Sequence, residues 1–282
     1  MIREQGPDDR AEVEALLTAR VDQAMFPLSN LRTHGLTKGA FPSDHDHATR
    51  VWRTGRSLIA LTKGGMILPL LDGTPDLSGL KTALDGLTVA GSVGPAASAR
   101  PILAALGLDR LPTNANRDEP GFTLNLEILA VPDHPDTTIR PVTPKDLPFL
   151  TDWRETYIGE VLGLFGADAR ATAEADLDSY LARDSHRILL HNDQPVALTG
   201  FNAILPEIVQ VGGVYTPPDL RGRGYARRAV ALHLAEARRN GTHRAVLFAA
   251  NAAAARAYRA IGFQPAADFT LFLLSTPTRI AA

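Results

Sequence analysis

At 282 residues the chain exceeds the ~150 of an average domain, so two domains are expected. A net charge of −2 argues against a general binder of nucleic acid or anionic membrane, and the absence of cysteine excludes disulfides, thiolate catalysis and cysteine metal sites. Arg3, Glu4, Asp8, Asp9, Arg10, Glu12 and Glu14 leave no signal-peptide core near the start, and no apolar run is long enough to span a bilayer, so a cytoplasmic protein without a membrane partner is expected.

Along the N-terminal half, Asp44-His45-Asp46-His47 has metal-ligand residue types. Yet its histidines lie two apart in a polar, proline-flanked segment with no distant third ligand, so a solvated loop and no metal are expected. Ser57–Leu61 followed by Lys63–Ile67 reads as strand, turn, strand. Leu87–Ala90 then reads as a strand leading through Gly91, Gly94 and Pro95 to a helix around Ala97–Leu106. Val131–Asp136 is a proline-rich linker. Beyond it, Asp168, Glu174, Asp176 and Asp178 form an acidic stretch, and Arg187–Leu190 with Asn192–Val196 repeats the strand–turn–strand pattern.

The most informative segment is Arg221-Gly222-Arg223-Gly224-Tyr225-Ala226. The run before it, Ile208–Tyr215, is rich in β-branched residues and stops at Pro217-Pro218, since proline supplies no ladder donor. Gly212-Gly213 inside that strand is costly unless it marks a bulge or splay. After the loop, Val230, Leu234 and Ala237 recur at helical spacing and Asn240-Gly241 offers a C-cap. Glycines at a helix N-terminus bring unpaired N–H groups and the positive dipole end together, a setting for phosphate. No P-loop lysine follows, and Arg227 stands where a dinucleotide fingerprint needs its third glycine.

The two halves echo one another. Ile2-Arg3, Pro7 and Asp9 recur as Ile139-Arg140, Pro144 and Asp146, 137 positions on, and Phe122–Leu126 recurs as Phe269–Leu273, 147 positions on. Matches in the same order point to duplication, with domains at 1–132 and 138–282. The first half has no counterpart of the glycine loop, and Pro95 removes a donor that a phosphate would use.

Arg221, Gly224 and Ala226 fit Arg/Gln-x-x-Gly-x-Gly/Ala, and a strand at Ala245–Ala249, Asn251, a helix with Tyr258 and then Gly262-Phe263 follow. In this order of features the chain resembles the GCN5-related N-acetyltransferase (GNAT) superfamily over residues 138–275. The resemblance implies an α/β (α+β) fold of two tandem acetyltransferase-like domains, each a mixed, mostly antiparallel sheet flanked by helices, the first copy degenerate. It implies acetyl-CoA as co-substrate. Arg221, Gly222, Arg223, Gly224, Tyr225 and Ala226 would cradle the pyrophosphate, and backbone groups of Val214, Tyr215 and Thr216 would pair with the pantetheine arm. The acidic stretch would border the acceptor site.

The expected function is transfer of acetyl to an amine of a small molecule or peptide by direct attack on the thioester. The alternative is a non-catalytic acyl-CoA-binding or regulatory protein. An amine of pKa ~10.4 must lose a proton first, and a backbone N–H near Val214 can polarise the carbonyl. Tyr258 is the expected partner of the leaving sulfur. With ~10 for tyrosine against ~8.5 for a thiol, full proton transfer is uphill by ~2 kcal/mol, so a hydrogen bond is its main contribution. Glu207 or a water chain would take the amine's proton. Asn251 would bond the arm, cap the next helix, or do both. Gln210 faces either an acceptor or solvent, and His233 is expected in the core. A monomer or homodimer that binds no nucleic acid completes the expectation.

Overall fold

The computed structural model describes residues 1–282, which divide into two compact units. The first, Met1–Glu119 with Ala267–Ala282, holds β1 (Arg3–Glu4), α1 (Arg10–Thr18), α2 (Val21–His34), β2 (Thr49–Thr54), β3 (Ser57–Thr62), β4 (Met66–Leu70), α3 (Leu80–Ala83), β5 (Thr88–Pro95), α4 (Ala96–Leu106) and β6 (Thr113–Glu119). The second, Pro120–Ala266, holds β7 (Gly121–Asn125), β8 (Thr137–Pro141), α5 (Leu147–Leu162), α6 (Gly166–Arg183), β9 (His186–His191), β10 (Gln194–Ile204), β11 (Ile208–Tyr215), α7 (Tyr225–Arg239), β12 (Arg244–Phe248), α8 (Ala252–Arg259) and β13 (Gln264–Pro265). The chain then returns to the first unit as β14 (Phe269–Arg279).

Each unit is built on a seven-stranded sheet, ordered β1-β2-β3-β4-β5-β14-β6 in the first and β13-β7-β12-β11-β10-β9-β8 in the second. In each sheet one neighbouring pair is parallel, β4 with β5 and β11 with β12, and the others are antiparallel. These are the mixed, mostly antiparallel sheets that the sequence predicts. The duplicated Arg–Asp motif folds the same way twice. Arg140 grips Asp146 through both terminal nitrogens at 2.7 Å while Asp146 accepts from the Thr143 N–H. Arg3 likewise reaches Asp9, which accepts from the Gly6 N–H.

The unit boundaries fall elsewhere than 132 and 138. β7 pairs with β12, from Gly121↔Phe248 to Asn125↔Arg244, while β14 lies between β5 and β6. The repeated Phe-Thr-Leu segments therefore occupy equivalent places in exchanged sheets. The reason is local: only Pro120 separates β6 from β7, too short a link for a hairpin, so the extended chain leaves one sheet and enters the other.

The expected link of Gly91, Gly94 and Pro95 between a strand and the next helix is instead part of the strand itself. Gly91 and Gly94 lie inside β5, where a Cβ would stand 2.3 Å from the Phe272 carbonyl oxygen and 2.7 Å from the Pro69 ring. They serve close strand approach. The segment after β4 leads instead to α3, a helix of four residues where the second unit has the fifteen of α7.

In the second unit α7 and α8 cover one face of the sheet, through Val209, Val211, Val230, Leu234, Leu247 and Tyr258. Helices α5 and α6 cover the other, through Leu150, Leu177, Tyr180, Ile188, Leu198 and Tyr215.

Candidate active site

The parallel pairing of β11 with β12 is confined to Ile208↔Arg244, Val209↔Ala245 and Gln210↔Val246. Beyond Gln210, Val211–Tyr215 keep β10 on one side and lose β12 on the other, so the sheet opens. Between Leu198↔Tyr215 and Gly200↔Gly212, β10 advances two residues and β11 three. The extra residue is accommodated at Gly213, whose φ of +62° is the left-handed conformation that glycine supplies freely. The expected bulge and splay are both present. An extended chain bearing amides finds unpaired strand-edge groups in this opening.

The opening leads directly to the glycine loop. After Thr216-Pro217 a short turn at Pro218–Leu220 precedes Arg221, and Gly222 and Gly224 have φ of +80° and +83°. Gly224 is the N-cap of α7, no side chain caps the helix, and its carbonyl accepts from the Arg228 N–H. The preceding N–H groups of the first turn thus have no helical acceptor. Tyr225 turns its ring inward with Leu189, Val196 and Ala197, and its hydroxyl meets His191 Nδ1 at 2.9 Å. Tyr215 packs towards α5, 5.8 Å from the Trp153 ring, and burial raises its pKa.

Arg221 braces the loop. It donates to the Thr216 carbonyl at 2.9 Å and to both Glu160 oxygens at 2.9 and 3.0 Å, and lies over the Tyr215 ring. Arg223 donates to the Asp219 carbonyl at 3.1 Å. On α8, Asn251 is the N-cap and its side chain accepts from the Ala254 N–H at 2.9 Å. Tyr258 is 7% exposed and shares a cluster with Val211 and Val230, against which Val214 packs, so it lies on the α7 side of the opening.

Glu207 departs from expectation. It lies in the turn ahead of β11, where its carbonyl accepts from the His243 and Arg244 N–H groups, at the closed end of the parallel pair. Seven residues of strand, ~23 Å at 3.3 Å each, separate it from Val214. Gln210 is buried and donates to the Val211 carbonyl at 2.7 Å. His233 is in the core as expected, stacked 3.8 Å from Phe201, with burial pushing its pKa down to about 3.

The other side of the bulge is filled by His186, which is not among the expected site residues. The His186 ring lies 2.0 Å from where a Cβ on Gly200 would stand and 2.9 Å from that of Gly213, and it stacks on Tyr180 at 3.4 Å. Burial holds it neutral, with its pKa well below the ordinary histidine value. Ser185 Oγ meets its Nδ1 at 2.9 Å. The signal was Gly200, a glycine inside a buried strand opposite Gly212.

A cavity of about 550 Å³ lies between α5 and α6, lined by Asp152, Glu155, Thr156, Glu160, Leu164 and Phe165 among others. Its carboxylates come from α5, whereas Asp176 and Glu174 of the predicted acidic stretch are paired with Arg154 and Arg170. Arg170 also reaches Asp152 and Glu155. In the first unit His45 stacks on His34 and Asp44 pairs with Lys63. No helix is long and apolar enough to cross a membrane.

Residues 149–263 match the profile described as the Acetyltransferase (GNAT) family. No curated protein sequence matches the chain. Among solved structures, a Drosophila protein is similar with a TM-score of 0.62 at 16% identity, covering 97% of this chain and 98% of its own. A GCN5-related N-acetyltransferase from Kribbella flavida aligns with a TM-score of 0.57 at 17% identity over 92% and 95%. A tandem GNAT protein from the clavulanic acid biosynthesis pathway aligns at 0.52 and 14% over 96% and 98%. At such identities the likeness is one of fold, and it spans both units. Residues 149–263 therefore match the Acetyltransferase (GNAT) family, within a chain that has the fold of two such domains in tandem.

Proposed function

We propose that the chain transfers the acetyl group of acetyl-CoA to an amine of a small molecule or peptide, by direct attack of the amine on the thioester. The observation that carries this reading is the opening between β11 and β12, bulged at Gly213 and continuous with the glycine loop that caps α7. The pantetheine amides would pair with the edge of β11 that β12 leaves, at backbone groups of Val214, Tyr215 and Thr216 as the arm leaves the sheet. The pyrophosphate would lie against residues 221–226 at the start of α7.

In this reading the Val214 N–H polarises the thioester carbonyl and stabilises the oxyanion as the amine's lone pair adds to carbon. The carbon–sulfur bond then breaks, and the Tyr258 hydroxyl donates to the departing thiolate. Asn251, whose side-chain oxygen is engaged in capping α8, keeps its amide N–H groups for the arm. With Glu207 at the closed end of the sheet, the amine's proton leaves through water. The acceptor would enter through the α5–α6 cavity, which adjoins the opening through Thr156 and Glu160.

The test is release of free thiol from acetyl-CoA in the presence of a panel of amines. Amine-dependent thiol release with formation of the acetylated amine supports the reading. Tight coenzyme binding without transfer to any amine would favour a non-catalytic acyl-CoA-binding protein.

A further inference from the structure

His186 carries a nitrogen that the fold leaves unused. The residue is 1% exposed, and its Nε2 is cut off from solvent with no hydrogen-bond partner. The ring is held on three sides: it stacks on Tyr180 at 3.4 Å, its Nδ1 meets Ser185 Oγ at 2.9 Å, and it fills the space above Gly200. Nε2 is aimed at the bulge, 2.9 Å from where a Cβ on Gly213 would stand, with the Tyr180 hydroxyl 3.7 Å from the same point. Gly213 directly precedes Val214. Val214 packs on the α7 side, where Tyr258 lies, whereas Tyr180 belongs to the cluster of α5 and α6. His186 therefore stands on the face where the reading above brings in the amine. Buried N–H groups without a partner are rarer in proteins than buried lone pairs without one. This assigns the proton of the neutral ring to Nδ1, donated to Ser185 Oγ, and leaves a lone pair on Nε2.

We propose that the reacting nitrogen of the acceptor amine docks against His186, donating an N–H to Nε2 while its own lone pair attacks the thioester carbon. The inference rests on the acetyl-transfer reading above and assigns within it the group that aims the nucleophile. A neutral amine can donate and attack at once, because its hydrogens and its lone pair point in different directions. As the carbon–nitrogen bond forms, the nitrogen becomes positive and its hydrogen bond to Nε2 strengthens, so the contact favours the transition state over the ground state. The proton itself leaves through water. Burial, together with Arg154 of α5, His233 of α7, Arg183 of α6 and Arg187 of β9, opposes an imidazolium at this position.

The experiment is steady-state transfer from acetyl-CoA to an amine that the wild type acetylates, with coenzyme affinity by calorimetry and melting temperature measured alongside. The variants are His186→Asn, whose amide reaches no further than the place of Nδ1, His186→Gln, whose amide reaches the place of Nε2, and Ser185→Ala. His186→Asn is expected to lower kcat/KM for the amine about 10- to 100-fold, the range of a charge-assisted hydrogen bond. Coenzyme affinity should stay within about threefold and the pH–rate profile should not shift. His186→Gln should recover part of the loss. Ser185→Ala keeps the ring but frees its proton to move to Nε2, so it should also lose kcat/KM. Wild-type kcat/KM in His186→Asn overturns the assignment, as does wild-type kcat/KM in Ser185→Ala should His186→Asn not fold. Equal losses in Asn and Gln, an equal loss of coenzyme affinity, or a shifted pH profile overturn it too, since they would point to packing or to a proton-taking base. Wild type that binds acetyl-CoA yet acetylates no amine overturns the transfer reading instead, so the two failures are told apart.

Discussion

His186 and His233 are buried without charge, on opposite faces of the second sheet, and both have pKa values lowered chiefly by burial. In the unfolded chain each titrates near ~6.5. Below that pH the unfolded state takes up protons that the folded state refuses, so stability is full above ~6.5 and falls as pH drops towards the folded values, about 3 for His233. The slope is ~1.4 kcal/mol per pH unit for each group. Urea unfolding of the second unit at pH 6.5, 5.5 and 4.5 should follow this, and His233→Leu should remove about half the slope. An unchanged slope in that variant would mean that the buried imidazole is not what titrates. Tyr258 gives the second residue-scale prediction. Tyr258→Phe keeps the ring and its packing near Phe263, so coenzyme affinity should stay within about twofold. Turnover should fall in the ~10²–10⁴-fold range of a positioned acid–base group. Wild-type turnover, under conditions where chemistry limits the rate, would make Tyr258 a packing residue.

The glycine loop and the strand ahead of it were legible because their signals are local. Two adjacent glycines in a β-branched run announce a bulge, and glycines before a helical period announce an uncapped N-terminus. Asn251 as a cap was readable for the same reason. What Arg221 touches was not, because Glu160 lies 61 positions away and only the packing of α5 against β11 brings them together. Glu207 was misjudged because adjacency to β11 in sequence says nothing about which end of the strand the sheet opens. His186 was missed because its role depends on the β9–β10 register that sets it opposite Gly200. The loop itself can be tested at Gly222, where φ is +80° and a Cβ would meet nothing within 4 Å. Asparagine and aspartate tolerate this conformation comparably and differ mainly in charge. Gly222→Asp should therefore bind acetyl-CoA about tenfold more weakly than Gly222→Asn, a like charge standing beside the pyrophosphate. Equal affinities would remove the pyrophosphate from this loop.

At the scale of the molecule, the duplication was visible and the strand exchange was not. The Phe-Thr-Leu pattern shared by β7 and β14 identifies both as the same element, and for that reason it cannot say which sheet either joins. The compact units predict which pieces are self-sufficient. A fragment of residues 120–266 keeps β7 beside β12 and should unfold cooperatively, whereas 138–282 lacks β7, leaves β12 with a bare edge and carries β14 without its partners. Cooperative unfolding of 138–282 with stability equal to that of 120–266 would contradict the exchange. The same asymmetry governs the site. Only the second unit joins an open parallel pair to a long helix behind a glycine loop, while the first has a four-residue helix at that place. The most direct measurement is calorimetric titration of the intact chain with acetyl-CoA. One molecule bound per chain, held about tenfold more weakly in Gly222→Asp than in Gly222→Asn, is the predicted result. No binding, or two equivalents per chain, would contradict the placement of a single acetyl-CoA site in the opening between β11 and β12.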